Sequence, residues 1–132
     1  MITFPEIGPD GPDAADWSDL IANWSGPASL FVDVSVDEVV EHCAASAAYL
    51  ATPYTRLVTD RDGNWDPVAS DEAGQLAARW CAVFAARGQT VISPIVQAVE
   101  MVNQSSRLDP LDADFWMHWC APMLRDCQAV IV

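Results

Sequence analysis

Two short apolar runs in this chain each stop at a proline, and that pattern restricts the fold more than any other feature. Ala48-Tyr49-Leu50-Ala51 gives way to Thr52-Pro53-Tyr54-Thr55, and Thr90-Val91-Ile92 gives way to Ser93-Pro94-Ile95. Such runs are too short for helices and lack the strict alternation of a half-exposed strand. They fit strands of a parallel sheet covered on both faces. Proline cannot donate to a sheet ladder, so each strand ends there and a turn begins. A further run, Ala129-Val130-Ile131-Val132, supplies another strand.

Helical patterns separate these runs. Residues 69–87 carry the strongest, with Leu76, Trp80, Val83 and Phe84 on one face and Gly88 where a left-handed cap belongs. Residues 112–124 form a last long helix. A helix through Val39, Val40 and Cys43 follows Ser35-Val36-Asp37-Glu38, in which Ser35 caps the backbone and Glu38 reaches back. Upstream, residues 1–12 are punctuated by proline and glycine and predict a loop or arm. Residues 13–24 place Trp17, Leu20, Ile21 and Trp24 at helical spacing, and residues 30–34 predict a strand. Residues 56–67 predict a polar loop. Strands alternating with helices specify an α/β fold, a three-layer sandwich around a short parallel sheet with right-handed crossovers. In such sheets ligands collect beyond the carboxyl ends of the strands, where both proline turns lie. Residues 1–45 are expected as an N-terminal extension and 46–132 as the α/β domain, together one unit.

Composition restricts the partners. Six Lys plus Arg stand against nineteen Asp plus Glu in 132 residues, a formal charge of −13 that opposes duplex nucleic acid and anionic membranes. A single phosphate stays compatible, because helix N-termini and backbone amides hold one locally. No basic leader and no long apolar run mark the sequence, so a cytoplasmic protein is expected. Cys43, Cys81, Cys120 and Cys127 match no zinc spacing and are expected as reduced thiols. Cys120 and Cys127 share a helix face about 10 Å apart, too far for a disulfide.

Taken in order, the Thr52-Pro53-Tyr54 turn, the Ser93-Pro94-Ile95 turn and the stretch from Asp114-Phe115-Trp116-Met117 to Cys127-Gln128 resemble the nucleoside 2-deoxyribosyltransferase-like superfamily, in its small bacterial and phage branch. The resemblance covers residues 48–132 and implies a flavodoxin-like arrangement. It implies a nucleoside or nucleotide pocket around Thr52, Pro53, Tyr54, Ser93, Pro94, Gln97 and Asp114. If the protein is an enzyme, the implied class is deoxyribosyl transfer or N-glycoside hydrolysis. The chain departs from the family pattern where relatives place a His, here Gln97, and where they place carboxylates, here Cys120 and Gln128. An amide cannot shuttle protons near neutral pH. Asp114 is the surviving candidate carboxylate, and it equally complements a helix dipole. The family nucleophile is a Glu beyond the strand that ends at Val132. The chain is therefore read as a truncated or degenerate relative, or as one permuted through residues 17–34.

No dinucleotide, phosphate-loop or nucleophile-elbow motif occurs, and no cofactor is expected. Asp60-Arg61-Asp62-Gly63-Asn64-Trp65-Asp66 imitates a calcium loop, but Trp65 occupies the turn glycine's place and Asp71 the bidentate glutamate's. A solvated acidic turn that caps the next helix is the favoured reading, and no metal is assigned to His42 or His118. The competing class is a non-enzymatic, acidic protein-interaction module. A second subunit in a homo-oligomer is one way to cover so small a sheet.

Overall fold

The computed structural model describes residue 31 and residues 33–132. The chain divides into two units, Met1–Ser35 and Val36–Val132, and the sheet belongs to the second. The expectations for residues 1–12, 13–24 and 30–34 fall wholly or partly outside the described residues.

The apolar runs become β1 (Ala48–Leu50), β2 (Val91–Ile92) and β3 (Ala129–Ile131). They form a parallel sheet in the order β2-β1-β3. The helices are α1 (Val36–Cys43), α2 (Thr55–Val58), α3 (Pro67–Ala85), α4 (Pro94–Gln104) and α5 (Ala113–Asp126). The fold is a three-layer α/β sandwich around a short parallel sheet. As the central strand, β1 is the best buried, with Ala48 fully enclosed and Leu50 3 % exposed. Gln128 N–H donates to Ala47 O at 3.1 Å and Ala51 N–H to Ile131 O at 2.8 Å, which carries the pairing past both ends of the strand.

Two elements differ from the sequence expectation. Pro94 ends β2 but also opens α4, because proline's missing N–H costs nothing at the first helical position. The supposed polar loop contains α2 and a Thr59–Trp65 bridge. In α3 the large-residue face is only partly the buried one: Phe84 is 2 % exposed and Leu76 and Val83 are half-buried. Trp80 is 42 % exposed, whereas Ser70, Ala73, Gly74 and Ala77 are buried. Small side chains at this spacing let α3 and α4 approach closely, and a Cβ added at Gly74 would stand 3.1 Å from a Val99 methyl.

Both ends of α3 follow the expected chemistry. Asp66 caps α3 through Val68 N at 2.9 Å and Ala69 N at 3.2 Å. Gly88, at φ 75°, closes its far end, where Gln89 N–H donates to Phe84 O at 3.0 Å. Arg87 Nε bonds Asp37 Oδ1 at 2.8 Å and ties α1 to that end. The pair is solvent-exposed and contributes little.

Gly74→Ala is expected to destabilise the fold by about 1 kcal/mol. Its gain in helix propensity is outweighed by crowding against a β-branched residue with one favoured rotamer. Chemical denaturation of Gly74→Ala, Val99→Ala and the double variant checks this. The double variant should be more stable than the sum of the single losses predicts; additive losses would count against a direct contact.

Candidate functional site

Beyond β1 the chain turns through Thr52 and Pro53 to Tyr54, which starts α2 and accepts from Leu57 N–H at 2.9 Å. The Tyr54 hydroxyl sits between two partners. Trp65 Nε1–H donates to it at 3.1 Å, and it shares a 2.8 Å hydrogen bond with the hydroxyl of Ser70, a fully buried residue of α3. This knot fixes the turn to α3 and leaves the phenol ring free to act as a wall.

That ring borders a cavity of about 330 Å³. Tyr49 comes from β1, Pro94 and Ile95 from the start of α4, and Trp116 and Cys120 from α5. Trp116 is held in place by its indole N–H, which donates to Asp109 O at 2.9 Å, and by edge-on contacts with Phe115 and Trp119. The same indole bond pins the loop between α4 and α5, so Pro110 and Leu111 join the wall. Among the described residues no charged side chain lines the cavity.

The phenol of Tyr49 is pushed up to about 12 by burial, and then by the neighbouring thiols of Cys120 and Cys127. It is therefore a neutral hydrogen-bonding group across the physiological range. Cys43, Cys81 and Cys127 are also raised, chiefly by burial, so these thiols are protonated and poorly nucleophilic near neutral pH.

Of the residues selected from sequence, Tyr54 and Pro94 meet in the cavity wall. Ser93 adjoins it but faces away. The register pairs Tyr49 with Ile92, so the next residue, Ser93, shares the face of Leu50, opposite Tyr49. Its hydroxyl makes no well-formed hydrogen bond and neighbours the Cys81 thiol of α3. Thr52 stands two residues beyond Leu50, and its hydroxyl is likewise buried without a partner. Pro53 is exposed, Gln97 lies on the exposed side of α4, and Asp114 is exposed in the first turn of α5. The structure adds Tyr49, Trp116 and Cys120. The usable signal for Tyr49 was its parity, opposite to Ala48 and Leu50.

The acidic turn is filled by protein donors. Asp60 Oδ1 accepts from Asp62 N at 2.9 Å and Asn64 N at 2.8 Å, and these bonds, those from Asn64 foremost, hold its carboxyl below the usual range. Among the described residues no group of His, Cys, Asp and Glu is placed to hold a metal ion. No helix there is long and apolar enough to cross a membrane.

A second, more open cavity of about 430 Å³ lies near the amino end of β2, beside Cys81, Gly88 and Gln89. Gln89 is 2 % exposed and clamps two strand entrances, donating to Ser46 O at 2.7 Å and Thr90 O at 2.9 Å.

Tyr54→Phe should cost about 1–3 kcal/mol in chemical denaturation, because it strands the buried Ser70 hydroxyl and the Trp65 indole. An unchanged midpoint would mean the knot carries no load. Spectrophotometric titration should find one tyrosine ionising near pH 12, absent from Tyr49→Phe. Because the folded value exceeds the ordinary one, this contribution to stability is complete below pH 10 and disappears as pH rises to about 12.

No curated protein and no solved structure matches the chain. Residues 46–132, from just before β1 to the last residue, match the family described as Domain of unknown function (DUF1937), and the chain belongs to that family.

Proposed function

We propose that this protein binds a nucleoside or nucleotide in the cavity beyond β1 and is related to the enzymes that make or break N-glycosidic bonds. One observation carries the reading. An apolar cavity of about 330 Å³, walled by Tyr54, Pro94 and Trp116, opens at the carboxyl ends of parallel strands, where such sheets gather small ligands. The resemblance of the two proline turns to nucleoside 2-deoxyribosyltransferase-like proteins supports it from the sequence.

Binding is the proposed role, ahead of group transfer. Displacement at an anomeric carbon needs a carboxylate against the reacting centre. Among the described residues none lines the cavity, and Asp114 stands on an exposed turn. A cytoplasmic location suits four cysteines that are free thiols. A second reading, an acidic protein-interaction module, draws on α5, where Met117 is 65 % and Leu124 46 % exposed.

Thermal denaturation with deoxynucleosides, ribonucleosides and their monophosphates tests the proposal, with chromatography of each mixture for free base. A ligand at a hundred times its dissociation constant should stabilise the fold by about 2.7 kcal/mol and remain intact. No stabilisation by any of them would overturn nucleoside binding. Release of free base would overturn the restriction to binding.

A further inference from the structure

The polar groups of the cavity wall are unequally available. Thr55 is exposed at the mouth. The Tyr54 hydroxyl is engaged by Trp65 and Ser70. The polar neighbours acting on the Tyr49 hydroxyl are thiols, Cys120 first and Cys127 more weakly. Thiols are weak hydrogen-bonding partners, so the phenol keeps its capacity for a better one. Cys120 is itself a wall residue. Phenol and thiol thus form a polar spot on an otherwise apolar floor.

The rest of the wall selects against charge. With no cationic side chain lining the cavity among the described residues, an ion placed there finds no opposite charge to compensate its lost hydration. Asp109, Asp112 and Asp114, all exposed, are interspersed with the wall residues Pro110, Leu111 and Ala113, so this part of the rim carries acidic side chains. The wall includes two planar aromatic rings, the Tyr54 phenol and the Trp116 indole, beside Pro94. Planar π-systems fit such faces.

We propose that the Tyr49 hydroxyl and the Cys120 thiol are the specificity-determining pair of this cavity, hydrogen-bonding the polar edge of a neutral, planar heteroaromatic ring whose presence shields the thiol. The inference rests on the nucleoside reading for the source of that ring and goes beyond it by assigning the atoms that read it. The phenol donates to a ring acceptor, and the thiol serves as the weaker second contact. The sugar stays toward the mouth, and a phosphate is disfavoured by the acidic rim.

The test uses the full chain and two readouts. Dissociation constants for thymidine, deoxyadenosine, deoxyguanosine and the sugar-free fragment benzimidazole are measured on the wild type, Tyr49→Phe and Cys120→Ser. Alkylation of Cys120 by iodoacetamide is followed in parallel by mass spectrometry. Cleavage after Arg107 and Arg125 separates Cys120 from Cys127, which serves as the internal control. Tyr49→Phe should weaken binding about five- to tenfold, and Cys120→Ser should hold it within about threefold. At about ten times its dissociation constant, a probe should slow alkylation of Cys120 about tenfold and leave Cys127 unaffected. If nucleosides bind while Cys120 alkylates at its free rate and Tyr49→Phe binds like the wild type, the pair is overturned and nucleoside binding stands. If benzimidazole binds and shields Cys120 while no nucleoside binds, the pair stands and the nucleoside reading falls. If no probe binds, both are overturned.

Discussion

Backbone pairing of β1 on both of its edges is the constraint that everything near the cavity depends on. The strand is three residues long, yet it is bonded to β2 on one side and β3 on the other. Neither neighbour pairs with the other, so the order β2-β1-β3 exists only through β1. A sheet this short is not stable alone; it needs helices over both faces. The small side chains of Ala48, Ala73, Gly74 and Ala77, all buried, let those layers close on one another. Gln89 reinforces the entrance to the sheet by holding the carbonyls of Ser46 and Thr90.

Alternation along β1 divides its labour. Ala48 and Leu50 are spent on the core, and Tyr49, pointing the other way, reaches the cavity. Beyond the strand the same economy recurs: Tyr54 commits its hydroxyl to Trp65 and Ser70 and its ring to the wall. The acidic residues serve local structure more than any site. Asp66 and Asp112 cap helices, and Asp60 closes a turn. Part of a strongly negative charge is thus placed where backbone N–H groups stabilise it.

The strands and the two longest helices were legible because their signals are local: apolar runs cut by proline, a helical period, and glycine at a left-handed cap. Helix α4 was not, because Pro94 was read only as a stop. Ile95, Val96, Ala98, Val99 and Val102 follow it at helical spacing. The buried face of α3 was read incompletely: Phe84 is in it and Trp80 is not, and Ser70, Ala73, Gly74 and Ala77, whose value lies in what they allow to come near, were passed over. For the site, the proline turns pointed to the carboxyl end of the sheet, and Tyr54 and Pro94 line a cavity there. Ser93 points elsewhere through strand parity, which becomes visible only once the pairing register is known. Tyr49 could be set apart only by its parity against Ala48 and Leu50, and Cys120 sits inside a helix, where sequence alone gives no reason to separate it from core.

Titration of the isotope-labelled protein with thymidine, followed by amide and aromatic NMR shifts, would test whether the cavity beyond β1 is a nucleoside site. Saturable changes concentrated on Tyr49, Tyr54, Ile95 and Trp116, with Cys81 and Gly88 at the other cavity unmoved, are the expected result. Changes centred on the second cavity, or a spectrum indifferent to nucleoside at millimolar concentration, would contradict it.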